Sequence, residues 1–330
     1  MKLFVYSLRM FDEKKYFDEW SEKLGVEYSY CQERPTPDNM HLVKGYDAVS
    51  VLTTPVDEEI LKAWKEDGVK VVSTRTVGFD HIDCKAAKAL SMPVCNVTYP
   101  PKGVANYTIM LMLMCCRKVV HILERAAMQD FTLPGKIGVE LSNCTVGIIG
   151  TGKIGRTVSE HLKGFGCKLL AYDLYPSDAV KEIAEYVDLE TLYRECDIIS
   201  LHMPSTDENF HMIDENALSK MKDGVILINT ARGNLIDSKA MIAAVKSGKI
   251  GAAGLDVIED EFGLYYYDYI GKPMDNEELA VLKSFPNVIV TPHTAFYTVE
   301  AVEHMVKNSI LGCMYEVEPK NQEKNPFRVL

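Results

Sequence analysis

Residues 144–173 read CTVGIIGTGKIGRTVSEHLKGFGCKLLAYD, and no other segment constrains the fold as strongly. A β-branched run, Thr145–Ile149, stops at a glycine. Glycines recur at 150, 152 and 155, and an amphipathic stretch then runs to Gly166. A second apolar run, Lys168–Tyr172, ends on Asp173. Strand, tight turn, helix and strand in that order make a parallel βαβ unit carrying G-x-G-x-x-G. Gly150 permits the turn, Gly152 lets the backbone approach a pyrophosphate, and Gly155 lets helix and strand pack closely. The helix start offers unpaired N–H groups and partial positive charge to phosphates. Asp173 can accept hydrogen bonds from two ribose hydroxyls and repels a 2′-phosphate. The segment therefore predicts a dinucleotide site that prefers NAD to NADP.

The same alternation extends along the chain. Leu3–Ser7, Val26–Tyr30, Ala48–Leu52, Lys70–Ser73 and Val94–Val97 read as strands. Asp12–Leu24, Asp57–Asp67 and Ile82–Leu90 read as helices between them. Tyr99-Pro100-Pro101 interrupts the series, because two prolines in succession exclude helix or central strand. A helix apolar almost all round, Val104–Val120, follows and suits a buried or dimer-forming position. Further strands are expected at Ile198–Leu201, Val225–Ile228, Ala252–Leu255 and Val288–Val290, and a final helix at Thr298–Tyr315. The expected fold is α/β, with two doubly wound Rossmann-like domains. Residues 1–99 and 297–330 would form a discontinuous substrate domain, and residues 100–296 an NAD-binding domain inserted in it.

Composition excludes several function classes. A formal net charge of −11 argues against a general nucleic-acid or membrane-surface binder. The nine cysteines are odd in number and lack C-x-x-C spacing, so they read as small buried side chains in a reducing cytosol, with no metal site. The N-terminal apolar run is broken by Arg9 and then by charges, unlike a signal peptide. Val104–Cys116 is shorter than the roughly 20 residues a membrane span needs. A cytoplasmic protein is expected.

A nicotinamide needs a reacting partner. Reducing a 2-oxo acid requires a cation for its carboxylate and carbonyl, a proton donor for the developing alkoxide, and a group that tunes that donor. In open α/β sheets such groups lie just past the carboxyl ends of strands. Arg232 follows the strand Val225–Ile228, and an acidic run, Asp256 to Glu261, follows Ala252–Leu255. His293 follows Val288–Val290, and a histidine is a suitable proton donor near neutral pH. On position alone, the acidic run also fits a solvated loop and His293 a structural residue. His81, His121, His161, His211 and His304 show no partner in the sequence and read as structural or solvated.

The ordered segments GTGKIG (150–155), NTARGNLID (229–237), GLDVIEDE (254–261) and TPHTAFYT (291–298) resemble the D-2-hydroxyacid dehydrogenase family. STRTVGFDHID (73–83) and NVTYPPKGVANYT (96–108) extend the resemblance to nearly the whole chain. RTVGFDHID, GKPMDN (271–276) and NVIVTPHTAFYT (287–298) resemble most the D-lactate dehydrogenase branch, including the vancomycin-resistance type.

The resemblance implies that Arg232 binds the substrate carboxylate and carbonyl, and that His293 is the acid/base. It singles out Glu261, five residues after Asp256, as the partner that keeps His293 protonated for reduction. It assigns substrate contacts to the backbone of Val77 and Gly78 and to Tyr99 and Phe296. Cofactor contacts fall to Gly150, Gly152, Lys153, Ile154, Gly155, Asp173, His202, Met203, Pro204, Thr230, Ala231 and Asp256. The chain departs from the family at Pro100 and Lys102, where Ser and Asn are common, and at Asn106, where many members have an acid.

The function these observations imply is NADH-dependent reduction of a 2-oxo acid to the (R)-2-hydroxy acid by a homodimer, with pyruvate as substrate. A bulkier acid such as 2-oxoisocaproate, phenylpyruvate or 2-oxoglutarate is the alternative within the enzyme class. An NAD-sensing, corepressor-like binding protein is the alternative outside it.

Overall fold

Apolar β-branched runs build two separate all-parallel sheets, and the helices between them cover both faces of each. The computed structural model describes residues 1–318 and 324–330. The chain divides into two compact units, Met1–Pro100 with Tyr297–Leu330, and Pro101–Phe296. Residues 319–323, within the stretch 297–330 assigned from sequence to the substrate domain, lie outside the described residues.

The first unit runs β1 (Lys2–Val5), α1 (Lys14–Leu24), β2 (Glu27–Tyr30), β3 (Ala48–Val51), α2 (Glu58–Glu66), β4 (Val71–Thr74), α3 (Cys84–Ala89) and β5 (Val94–Cys95). The strand order is β2-β1-β3-β4-β5. One face packs Phe4, Val49 and Val72 against Ile60, Leu61 and Trp64 of α2. The opposite face packs Leu3, Val5 and Val71 against Phe17 of α1 and against Val302, Val306 and Ile310 near the carboxyl end of the chain.

The second unit opens with α4 (Lys102–Cys116) and α5 (Val119–Ala127). It continues through β6 (Thr145–Ile149), α6 (Lys153–Leu162), β7 (Lys168–Tyr172), α7 (Asp178–Lys181), β8 (Glu185–Tyr186), α8 (Leu189–Glu195) and β9 (Ile198–Leu201). It closes with α9 (Glu215–Lys220), β10 (Val225–Asn229), α10 (Ser238–Ser247), β11 (Ile250–Leu255), α11 (Glu277–Ser284) and β12 (Val288–Val290). The helix α12 (Val299–Val317) belongs to the first unit. The order β12-β11-β10-β9-β6-β7-β8 reverses between β6 and β9, the switch point where a doubly wound sheet binds its ligand. The two α/β domains expected from the alternation are thus present.

Helix starts explain why the elements begin where they do. Asp57, Asp83, Asp188, Asp214, Asp237, Asn276 and Thr298 each accept a first-turn N–H from their own helix. Such a cap contributes about 1 kcal/mol.

Two expectations need correction. The single helix over Val104–Val120 is two helices, because the chain breaks at Arg117–Lys118 with Lys118 at φ +52°. Pro100-Pro101 does not keep helix away, since α4 starts at Lys102 with Pro101 at its cap. A proline costs little there, as no N–H is needed at a helix start. All nine cysteines are free thiols. Among the described residues, no single helix is long and apolar enough to cross a membrane.

Candidate active site

The glycine turn after β6 is sterically forced. Gly150 sits at φ +93°, and a Cβ there would lie 2.7 Å from the His202 carbonyl. A Cβ on Gly155 would lie 1.9 Å from the Gly150 oxygen, so α6 can pack this closely only with glycine. At Gly152 a Cβ would meet nothing within 4 Å, which leaves this face open to a pyrophosphate. Gly152 also caps α6 without a side chain, so the N–H groups at Lys153, Ile154 and Gly155 head an uncapped ten-residue helix. These features fit a dinucleotide.

His202 follows β9 and backs onto this turn. Its N–H donates to the Ile149 carbonyl at 2.8 Å, and its Nε2 lies 2.8 Å from Ser200 Oγ. Its Nδ1 is buried and has no hydrogen-bond partner among the described residues. Burial pushes its pKa down to about 3, so the ring is neutral at ordinary pH. Met203 is half-buried beside it, and the exposed Pro204 accepts from Asn209 Nδ2 at 2.8 Å.

Asp173 at the end of β7 is held in place. Its Oδ2 accepts from Thr151 N at 2.5 Å and from Thr151 Oγ1 at 3.0 Å, and its Oδ1 accepts from Tyr175 N at 2.8 Å. Each carboxylate oxygen retains acceptor capacity for a ribose hydroxyl. Tyr186 OH donates to Thr151 Oγ1 at 2.7 Å and itself accepts from Ser177 N at 2.9 Å. Thr151 and Tyr186 were not singled out from sequence. The Thr151 contact follows from its place inside the turn, whereas Tyr186 is brought in by the pairing of β7 with β8.

Arg232, Glu261 and His293 follow β10, β11 and β12, which are neighbours in the sheet. Asn229, fully buried, ends β10 and shapes the arginine loop. Its Nδ2 donates to the Arg232 carbonyl at 2.8 Å, and its Oδ1 accepts from Ala231 N at 3.0 Å. Thr230 Oγ1 lies 2.8 Å from Thr108 Oγ1 on α4. Asp256 is fully buried and spends its carboxylate on the histidine loop. It accepts from Thr291 Oγ1 at 2.6 Å, Thr294 N at 2.9 Å and Ala295 N at 2.8 Å. The Asp256 carbonyl accepts from His293 N at 2.7 Å.

That scaffold holds His293 at φ +51°, a costly conformation for a non-glycine residue and one that concentrates at functional sites. His293 Nδ1 lies 2.6 Å from Glu261 Oε1, and Glu261 Oε2 accepts from Ile258 N at 3.2 Å. A carboxylate only accepts, so Nδ1 carries the hydrogen and Nε2 is the nitrogen that can exchange a proton with a substrate. Phe296 meets the imidazole edge-on at 6.2 Å, and Tyr266 tilts over it at 6.4 Å with its OH donating to the His293 carbonyl.

In the first unit, the loop after β4 carries Val77 and Gly78. Thr76 Oγ1 donates to the Gly78 carbonyl at 2.6 Å, and Asn96 Nδ2 to the Val77 carbonyl at 2.7 Å. The loop is rooted by Arg75, which is fully buried against an equally buried Glu13. Arg75 Nε reaches Glu13 Oε1 at 2.9 Å, and its other nitrogens reach Ser50 and the Tyr6 and Ser7 carbonyls. Burial alone would push the Glu13 carboxyl up, but the Arg75 and Arg9 charges outweigh it and hold it below the usual range. Tyr99 is half-buried in this unit, while Lys102 and Asn106 are exposed on α4 of the other.

Comparison with known proteins identifies the family. Residues 109–295 match the family model described as D-isomer specific 2-hydroxyacid dehydrogenase, NAD binding domain. An aromatic 2-oxoacid reductase from Clostridium sporogenes is 44% identical over 98% of both chains. A D-lactate dehydrogenase from Escherichia coli (strain K12) is 40% identical over 94% of this chain and 95% of its own. The crystal structure of a Treponema pallidum D-lactate dehydrogenase superposes with a TM-score of 0.88 at 34% identity, covering 100% of both chains. The chain therefore belongs to the D-isomer specific 2-hydroxyacid dehydrogenase family and is an NAD-dependent oxidoreductase.

Proposed function

We propose that the protein reduces a 2-oxo acid to the (R)-2-hydroxy acid, with pyruvate and D-lactate as the first pair. The observation that carries this reading is the Glu261–His293 pair, whose residues follow β11 and β12, the two strands that come next in the sheet after β10, which leads into Arg232. A bound NADH supplies the hydride that reaches the carbonyl carbon. Nε2 of His293 gives its proton to the carbonyl oxygen, and Glu261 offsets the charge that forms on the ring during the reverse step. Arg232 turns its fork of N–H donors to the substrate carboxylate and carbonyl. Val77, Gly78, Tyr99 and Phe296 take the substrate contacts that the sequence resemblance implies. Asp173 takes the adenosine ribose, and Asp256 fixes the loop from which His293 acts.

A specific observation favours a second reading, an aromatic 2-oxo acid. Two rings flank the imidazole, Phe296 at 6.2 Å and Tyr266 at 6.4 Å, and Phe262 and Tyr267 are exposed on the same loop as Tyr266. A relative at 44% identity is named an aromatic 2-oxoacid reductase. The deciding experiment measures kcat/KM with NADH for pyruvate, 2-oxobutyrate, 2-oxoisocaproate, phenylpyruvate and 2-oxoglutarate, with chiral analysis of the products. Pyruvate ranks first on the first reading. On the second, phenylpyruvate exceeds it by about tenfold or more, since burying added apolar groups is worth about 1–3 kcal/mol each. An (S) product, or no turnover of any acid, ends both.

We also propose a cytoplasmic homodimer. No residue of α5 is buried, and Leu123, Met128, Phe131, Leu133 and Ile137 are five large apolar residues exposed within fifteen positions of chain. A run like this marks an association surface. Sedimentation should show a dimer that Phe131→Asp weakens, and a monomeric wild type contradicts the proposal.

A further inference from the structure

The acidic run after β11 contains a second glutamate with a histidine of its own. His211 Nε2 lies 2.5 Å from Glu259 Oε1, and Glu259 Oε2 accepts from Ser238 N at 2.9 Å. Both side chains are partly shielded, at 29% and 21% exposure, and the Phe210 ring stacks on the imidazole at 3.9 Å. His211 is also held at φ +52°. This pair is chemically like the Glu261–His293 pair, yet the mechanism above does not use it.

Its connections lead to the arginine loop. His211 N donates to the Asn234 carbonyl at 2.9 Å, and Ile213 N to the Leu235 carbonyl at 3.0 Å. Asp237, whose carboxylate lies 3.8 Å from His211 Nδ1, donates its N–H to the Ile213 carbonyl at 3.1 Å. The segment around His211 therefore runs alongside residues 234–237, immediately after Arg232. From the other side, Gly233 touches the Ile258–Glu259 peptide so closely that a Cβ would fall 1.9 Å from the Ile258 oxygen. The N–H of that same Ile258 orients the Glu261 carboxylate.

We propose that His211 and Glu259 are positioning residues for the reaction: their hydrogen bond bolts the Arg232 loop to the turn that presents Glu261. This proposal rests on the substrate role given above to Arg232. The glutamate accepts from the imidazole with one oxygen and from the start of α10 with the other. It thereby ties three loops into one body that the peptide contacts alone would leave free to slide. A misplacement of about 1 Å at a bidentate arginine is enough to cost about a hundredfold in rate. In the intact bolt, Arg232 meets the carboxylate already oriented.

The test uses the full-length protein with its best oxo acid from the panel. His211→Ala and Glu259→Gln should each raise KM for the acid by about tenfold or more, with NADH affinity changed less than about twofold. His211→Gln, whose amide can still donate to Glu259, should recover most of the loss. The double variant should be no worse than the poorer single one, because the two residues act as a unit. A KM within about twofold of wild type in both single variants, accompanied only by a lower Tm, overturns the proposal. So does a parallel loss of NADH affinity. If His211→Ala does not fold, Glu259→Gln and His211→Gln carry the same comparison. Arg232→Lys separates the two claims. An unchanged KM there removes the arginine's role itself, whereas a raised KM there with normal His211 and Glu259 variants removes only the bolt.

Discussion

His293 Nδ1 and Glu261 Oε1 lie 2.6 Å apart, and the histidine loop and the glutamate carboxylate are each held independently. Asp256 holds the histidine loop through three donors, and Ile258 N holds the second oxygen of Glu261. The pair is thus set before any substrate arrives, which is what proton transfer needs. Replacing Glu261 with Gln should lower kcat by about 10- to 1,000-fold, because an amide can donate to Nδ1 and select the wrong tautomer. NADH affinity by fluorescence titration should stay near wild type. An unchanged kcat would mean that the pair is only structural.

Arg232 should not tolerate lysine. A point charge cannot reproduce the planar fork that, in the proposed role, engages carboxylate and carbonyl together. Arg232→Lys should raise KM for the oxo acid by about tenfold or more, with a smaller effect on NADH affinity, in steady-state assays. Equal KM values for the two forms would reassign the arginine.

Asp173 should set the cofactor preference. Its carboxylate is fixed by Thr151 and Tyr175 at the end of β7, where on the proposed reading it would oppose a 2′-phosphate. Asp173→Ala should narrow the ratio of kcat/KM for NADH over NADPH by about tenfold, an order typical of one lost charge contact. Tyr186→Phe, which frees Thr151 Oγ1 of one partner, should shift the ratio the same way by less. A ratio that does not move in Asp173→Ala places the ribose elsewhere.

Acid should weaken the first unit through Glu13. Its folded pKa lies below the ordinary carboxylate value of 4.5 because Arg75 and Arg9 more than offset the cost of burial. A carboxylate shifted down contributes stability above its unfolded pKa and loses it as pH falls through the folded one. Wild-type Tm should therefore drop as pH is lowered from about 5 toward 3, and Glu13→Gln should flatten that drop. At neutral pH the variant should be less stable by about 3–5 kcal/mol, since it strands a buried guanidinium. Parallel Tm–pH curves for the two proteins would contradict this account of Glu13.

The parts legible in the sequence are those whose residues act within one local unit. In the turn from Gly150 to Gly155 the Gly155 constraint is local, set by the Gly150 oxygen, and the glycine spacing is read within a few residues, although Gly150 itself is crowded by His202 past β9. Arg232 and His293 could be placed because a strand end defines where a loop emerges, whereas within the acidic run only the family resemblance singles out Glu261. What the sequence hid are contacts made at a distance. Glu13 reads as one more residue of an opening helix, but α1 begins at Lys14 and Glu13 turns inward to Arg75, 62 positions away. His211 and Glu259 are 48 positions apart and meet only because three strand-end loops converge. The break at Lys118 carries neither proline nor glycine, so no local signal marks it.

The central claim is that His293 delivers the proton while NADH is consumed. Rapid mixing of NADH-loaded protein with saturating oxo acid follows that single turnover directly. The account predicts that His293→Ala slows it by about 100-fold or more, the scale of a lost general acid, while the NADH dissociation constant stays near wild type. A variant that consumes NADH at the wild-type rate would contradict it.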